Sequence, residues 1–280
     1  MKTKPIAAIL YDFDKTLSTK DMQEYAFIPD IGMTADEFWS TCNELTNKNN
    51  MDQILSYMYV MLDRAQGKKL LTRKEFENLG ASVELCPGVD TWFDRMNKYG
   101  EALGLQIEHY VISSGLKEII EGTPIAKYFE KIYAAEFYYN EKNVPVWPAM
   151  AVNYTSKTQF LFRINKGVLD VTDHKSLNKF TPEGDRRIPF SNMIYIGDGF
   201  TDVPCMKLVK VNGGHSVAVY HEDKKTATSI MQQGRVDFIA PANYESGRKL
   251  EETVFTVLDL IKAQNAAFRK NQEDLKEISK

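Results

Sequence analysis

The sequence predicts an α/β protein, a parallel sheet with helices on its faces and a run of helices set between the first strand and the rest. Three observations predict it. The run Ile6-Ala7-Ala8-Ile9-Leu10-Tyr11 is apolar at every position, as a strand buried on both faces of a sheet should be. Residues 20–85 then read as helix after helix. Beyond Cys86-Pro87-Gly88, short β-rich runs alternate with helical stretches, the pattern of strands joined by crossover helices.

Within residues 20–85, apolar residues recur at threes and fours over 35–47, 51–65 and 72–85. Lys48-Asn49-Asn50 and Gln66-Gly67-Lys68 punctuate them. An amphipathic helix is expected over 89–99, a strand over 107–112, a helix opening at 117–121 and a strand over 132–138. Further strands are expected over 193–196, 216–220 and 238–239, and an amphipathic helix over 250–261. Beyond Asn265 the chain reads as a charged tail with no assigned order. The interval 139–192 is the hardest to read. Pro145, Trp147 and Pro148 suggest a short hairpin, 159–165 reads as helical, and 167–191 reads as a long surface loop.

The chain's 280 residues suffice for one large α/β domain, or for one carrying a smaller inserted domain. Hydrophobic residues make up 43% and charged residues 26%, as in ordinary globular proteins. A net charge of -3, with basic residues scattered, provides no footprint for nucleic acid. No apolar run reaches the length of a membrane span. The start Met1-Lys2-Thr3-Lys4 resembles that of a signal peptide, but the apolar run after it is short and ends in Asp12. A cytoplasmic location is therefore expected, with no membrane and no nucleic-acid partner. Cys42, Cys86 and Cys205 are odd in number and contain no CxxC pair, which argues against a disulfide framework and a thiolate metal site. His109, His174, His215 and His221 have no ligand-like spacing.

Four elements fall where predicted strands end or helices begin, the edge at which open α/β sheets bind ligands. They are Asp12 and Asp14, Ser113-Ser114-Gly115, Lys157, and Gly197-Asp198-Gly199-Phe200-Thr201-Asp202. Each alone has a plain explanation. Paired carboxylates cap or turn a chain, Ser-Ser-Gly is common loop chemistry, one lysine is a solvated charge, and GDGxxD opens a helix. Together they compose a site for a divalent metal and a phosphoryl group. Mg²⁺ takes carboxylate and phosphate oxygens and keeps some of its waters. A carboxylate can attack phosphorus if cationic charge offsets its repulsion of the phosphate. Serine hydroxyls and backbone N–H groups near a glycine can hold phosphoryl oxygens. Spacing alone leaves open which aspartate attacks.

In order, these elements resemble the four motifs of the haloacid dehalogenase superfamily. The resemblance rests on Asp12-Phe13-Asp14-Lys15-Thr16-Leu17, Ile112-Ser113-Ser114-Gly115, Lys157 and Gly197 to Asp202. It implies a Rossmann-like parallel sheet core over 1–18 and 88–280 with an inserted helical cap domain over 19–87, as in the branch that includes phosphoserine phosphatase. It further implies that Asp12 is the nucleophile and Asp14 the general acid and base. Ser113, Ser114 and Lys157 would bind the phosphoryl group. Mg²⁺ would be held by Asp12, the backbone carbonyl of Asp14 and Asp198, with Asp202 ordering the metal site. Lys166 competes with Lys157, which is preferred because it stands at a helix start with Thr155-Ser156 before it as candidate caps.

Asp14 favours a phosphate ester over a halide, because an alkoxide leaving group needs a proton. The expected activity is hydrolysis of a small phosphorylated metabolite. A phosphonate hydrolase would need a cap amine, with Lys20 or Lys48 as candidates, and a silent phosphate-binding module would be signalled by loss of Asp12 or Asp14. P-type transport ATPases share an Asp-Lys-Thr run but carry membrane helices. Asp21 stands where phosphoserine phosphatase meets its substrate's amine. The chain around Leu55 to Tyr59 offers no arginine for a substrate carboxylate, and Arg64 is displaced in sequence. Phosphoserine is not the first expectation. Phe38, Trp39, Tyr57 and Tyr59 are expected to build the interior of the insertion, with one or two facing the substrate.

Overall fold

The computed structural model describes residues 4–278, so Met1 to Thr3 of the basic start lie outside the described residues. Seven strands form one sheet: β1 (Ile6–Tyr11), β2 (Gln106–Leu116), β3 (Phe129–Tyr139), β4 (Pro145–Met150), β5 (Met193–Gly197), β6 (His215–Tyr220) and β7 (Phe238–Pro241). Their order is β4-β3-β2-β1-β5-β6-β7. All neighbours pair parallel except β3 and β4, which form an antiparallel hairpin. From β1 the chain builds outward first on one side and then on the other. The crevice where that direction reverses lies at the carboxyl ends of β1, β2 and β5.

Because β1 is central, alternate residues feed opposite cores, which is why the run has no polar position. Ala7, Ile9 and Tyr11 enter one apolar cluster, and Ala8 and Leu10 enter the other. The first cluster also takes side chains from α5 (Val89–Leu103), α11 (Lys249–Ile278) and the helices that follow β1. The second takes them from α7 (Tyr154–Lys166), α9 (Val203–Val211) and α10 (Lys225–Gln232).

The helices after β1 are α1 (Phe27–Asp30), α2 (Ala35–Asn49), α3 (Gln53–Ala65) and α4 (Arg73–Leu79). Their starts are written locally. Thr34 and Glu37 form a reciprocal capping box on α2. Asp52 accepts from the first amides of α3, and Thr72 accepts from Glu75 N on α4. The expected helix over 72–85 stops at Leu79, and the chain turns through a short 3₁₀ segment, Gly80–Ser82. That turn packs on α6 (Lys117–Glu121) at backbone distance. A Cβ on Gly122 would lie 1.7 Å from the Glu77 carbonyl oxygen, and one on Gly80 2.4 Å from Gly122 C. The two connections between these helices and the sheet run side by side. Thr19 N donates to Glu84 O at 3.0 Å and Cys86 N to Leu17 O at 2.8 Å.

Three further expectations are corrected. Ser113-Ser114-Gly115 does not follow its strand but lies within β2, whose pairing with β3 shifts register between Ile112 and Leu116. The interval 167–191 is not wholly loop: α8 (His174–Asn178) and two 3₁₀ turns, Glu183–Asp185 and Phe190–Asn192, interrupt it. The charged tail beyond Asn265 continues α11 to Ile278, its mixed charges standing on exposed faces of a helix. Among the described residues no helix is long and apolar enough to cross a membrane.

Candidate active site

At the end of β1 the strand geometry persists for one residue, Asp12 N donating to Ile196 O at 2.9 Å. The chain then folds over itself, the amides of Thr16, Leu17 and Ser18 converging on Phe13 O at 3.2, 2.8 and 3.1 Å. Lys15 takes a left-handed conformation (φ 56°) to make this turn. The turn sets the Asp12 carboxylate in the crevice, 5% exposed. It carries Asp14 to the other side, where its carboxylate accepts from Met22 N at 2.7 Å.

Lys157 is fully buried in the first turn of α7. The cap of that helix is Asn153, not Thr155 or Ser156: Ser156 Oγ returns a hydrogen bond to the Asn153 backbone. Lys157 Nζ donates to Asp12 at 3.0 Å and to Asp202 at 2.7 Å. Lys166, the competitor, lies at the far end of α7 and donates to the Leu177 and Lys179 carbonyls. Of the two lysines, the geometry places Lys157 beside Asp12.

Asp198 follows β5, and Asp202 stands immediately before α9, fully buried and accepting also from Tyr195 Oη at 2.8 Å. Gly197 makes room for it, since a Cβ there would meet the Asp202 carboxyl at 2.5 Å. Carboxylate oxygens of Asp12, Asp198 and Asp202 lie within 4.8 Å of one another. Burial and the neighbouring carboxylates raise the Asp12 pKa to about 6 and that of Asp198 to about 8. Desolvation, then Asp21 and Asp12, hold Asp14 well above the usual carboxylate range. Burial works against the Lys157 charge, but the Asp12 and Asp202 carboxylates outweigh it and keep the ammonium protonated. Hard oxygen donors crowded together, with their ionisation suppressed, are a set short of positive charge. They fit a small divalent cation such as Mg²⁺.

Ser113 and Ser114 differ. The buried Ser113 hydroxyl accepts from Gly115 N at 3.0 Å and stiffens the bend in β2. Ser114 Oγ has no hydrogen-bond partner among the described residues and lines the crevice. Gly115 is obligatory in this packing, since a Cβ would lie 2.7 Å from Asp14 Oδ2 and closer still to the Met22 methyl. Over these groups opens a cavity of about 560 Å³, roofed by α2 and α3. Tyr57 of α3 reaches down and donates to Ser114 O at 2.7 Å.

Other residues of the cavity were not singled out by the sequence. Gln23, Asn43, Gln53, Asn153 and Tyr154 line it, yet each reads in sequence as an ordinary turn or helix-surface residue. Asn153 had one signal, the Asn-x-x-Ser spacing of a reciprocal cap before Lys157. Asp21, expected near a substrate amine, is held by Lys15 at 2.5 Å. Arg64 pairs with Asp63 outside this cavity.

No family model matches the chain. An uncharacterized protein of Borreliella burgdorferi is 31% identical over 273 residues, covering 88% of this chain and 94% of that one, and the two belong to one family. Among solved structures, similarity extends to a probable phosphoserine phosphatase of Vibrio cholerae. Its TM-score is 0.57 at 11% identity, over 94% of this chain and 69% of that one. A HAD family hydrolase of Salmonella enterica serovar Typhi gives 0.55 at 16%, over 87% and 70%. A phosphoserine phosphatase holding a phospho-aspartyl intermediate analogue gives 0.54 at 15%, over 90% and 98%. This is the haloacid dehalogenase fold. In that fold the crevice at the ends of β1, β2 and β5 is where this chain gathers Asp12, Asp14, Ser114, Lys157, Asp198 and Asp202.

Proposed function

We propose that the chain is a Mg²⁺-dependent phosphatase that hydrolyses a small phosphate monoester through an aspartyl-phosphate on Asp12. The observation that carries this reading is the Lys157 ammonium held between Asp12 and Asp202, with Asp198 beside them, at the open end of β1. A buried carboxylate flanked by a fixed cation is positioned to meet a phosphoryl group without the cost of reorganising charge.

In the first step an Asp12 oxygen bonds to phosphorus as the bond to the ester oxygen breaks. Desolvation and its acidic neighbours favour the protonated form of Asp14, which passes its proton to the departing oxygen. In the second step Asp14, now ionised, takes a proton from water whose oxygen bonds to phosphorus, and the bond to Asp12 breaks. Lys157 offsets charge throughout, and the Ser114 hydroxyl supplies a donor to a phosphoryl oxygen. Asp12, the Asp14 backbone carbonyl and Asp198 would hold Mg²⁺, with Asp202 fixing Lys157 and the metal site from beneath. Mg²⁺, when bound, supplies the charge that lets the ionised Asp12 approach a phosphate dianion. The helices within 19–87 act as a cap on a core of 1–18 and 88–280, excluding water from this chemistry. A phosphonate hydrolase receives less support. Neither Lys20 nor Lys48 lines the cavity, and Lys20 Nζ stands 5.9 Å over the Tyr25 ring.

The test is hydrolysis of 4-nitrophenyl phosphate by the purified chain. Activity should require Mg²⁺, disappear with chelator, be inhibited by Ca²⁺, and fall by ~10²-fold or more in Asp12→Asn. Undiminished turnover in excess chelator, or by Asp12→Asn, would remove the reading.

A further inference from the structure

The cavity above the phosphoryl site offers few charges beyond the groups assigned to the reaction and the metal. Lys15 is its one cation among the described lining residues, and Asp21 holds it at 2.5 Å. Two carboxylates bonded to lining residues are engaged too. Asp52 accepts from Asn153 Nδ2 at 2.6 Å and from the first amides of α3, and Glu24 accepts from Trp39 Nε1 at 2.8 Å. Drawing Lys15 toward a substrate anion would weaken its pair with Asp21. An incoming amine at Asp21 would have to displace Lys15 in the same way.

What remains unspent is neutral. Gln23 lines the cavity at 2% exposure, and its side-chain oxygen is buried with no hydrogen-bond partner among the described residues. A buried acceptor left unpaired is costly, and a ligand O–H or N–H would relieve that cost. Asn43 and Gln53 add side-chain amides to the lining, on α2 and at the start of α3, with no side-chain hydrogen bond inside the described protein. Amides donate and accept equally and carry no charge, so they suit hydroxyls rather than carboxylates or ammonium groups. Trp39, Tyr57 and Tyr154 supply apolar ring surface between them.

We infer that the alcohol released at this site is uncharged and rich in hydroxyl groups, a sugar-like or polyol leaving group whose hydroxyl donates to Gln23. The inference rests on the phosphatase reading above and deepens it. It disfavours a leaving group recognised through its own carboxylate or ammonium, because Lys15 is already paired with Asp21 and the other lining carboxylates, Asp12, Asp14 and Asp198, are those assigned to the reaction and the metal. A volume of about 560 Å³ accommodates the phosphoryl group together with a leaving group of sugar size.

The experiment compares kcat/KM, in Mg²⁺, for three sets of esters. Glycerol 2-phosphate and glucose 6-phosphate carry uncharged alcohols, 3-phosphoglycerate and phosphoserine carry a carboxylate, and phosphocholine and phosphoethanolamine carry a cation. 4-Nitrophenyl phosphate serves as the reporter of the chemical step. The best uncharged ester should exceed every charged one at least tenfold. Gln23→Leu should cut that advantage at least tenfold relative to the reporter, and Gln53→Ala, at an exposed position that folding tolerates, should cut it by a smaller factor. Faster hydrolysis of any charged ester, equal rates across the three sets, or an unchanged preference in both variants would overturn the inference while leaving the phosphatase reading intact. Failure to hydrolyse even the reporter would overturn both.

Discussion

His109 shows how a residue of a reactive type is spent on structure. It sits in β2 with Tyr11 Oη 3.0 Å from Nδ1 and Asn97 Oδ1 3.1 Å from Nε2. Trp92 Nε1 donates to that same tyrosine oxygen at 2.8 Å, so the Tyr11 hydrogen points at the imidazole. Nδ1 must therefore accept, Nε2 donates to Asn97, and the ring is neutral. Burial pushes the His109 pKa down to about 3. The unfolded chain takes up the proton near pH 6.5 while the folded chain refuses it, so this contribution to stability is complete above pH 6.5 and is lost as pH falls toward 3. Stability should drop by up to about 1.4 kcal/mol for each pH unit below ~6 on this account alone. Urea denaturation of wild type and His109→Gln checks it: their difference in stability should shrink between pH 7 and pH 5. A constant difference would show that the folded histidine accepts the proton. The residues around Asp12 follow the same logic in reverse, since there perturbed groups are gathered at an open edge, where perturbation has a use.

At the scale of elements, the packing of α4 on α6 limits how the inserted helices can move. Gly80 and Gly122 bring the two segments to backbone contact, and Phe76 of α4 stacks on Phe137 of β3 at 5.6 Å. On the opposite side the link to the core is narrower, through the Tyr57 hydrogen bond to Ser114 and the Asn153 bond to Asp52. If the inserted helices open, the wide contact acts as the fixed side and the α2–α3 side as the one that lifts. Gly122→Ala should cost about 1–3 kcal/mol, because its Cβ would displace the Glu77 carbonyl. Gly184→Ala, where nothing lies within 4 Å, provides the control. Equal urea midpoints for the two variants would mean that α4 shifts freely. This contact was illegible in the sequence: Gly80 falls inside the helix expected over 72–85 and Gly122 just past the one opening at 117–121, and nothing local announces that they face one another. The same holds for Ser113-Ser114-Gly115, which reads as a turn because its residues favour turns, whereas pairing with β3 carries β2 through it. The extension of α11 past Asn265 was missed because its charges lack an apolar stripe long enough to mark a buried face.

For the whole molecule, the parallel sheet was legible because an all-apolar β1 reads as a strand buried on both faces and strands alternate with helices after it, whereas the strand order was not. Asp12, Asp14, Lys157, Asp198 and Asp202 were legible because carboxylates and a lysine at element ends have few structural uses together. The wall of the cavity was not, since Gln23, Asn43 and Gln53 are polar residues of a kind found on any helix surface, and only the tertiary arrangement turns them inward. The two groups divide the proposed labour, with the sheet edge holding the chemistry and the helices above it choosing the leaving group. The central claim is that phosphorus becomes bonded to Asp12. Acid quenching of the chain during turnover of a phosphate ester in Mg²⁺, followed by borohydride reduction and peptide mass spectrometry, tests it directly, because an acyl phosphate reduces to homoserine whereas a free carboxylate does not. The account predicts homoserine at position 12, dependent on substrate; an unmodified Asp12 with phosphate released at the same rate, or homoserine at position 14 or 198, would contradict it.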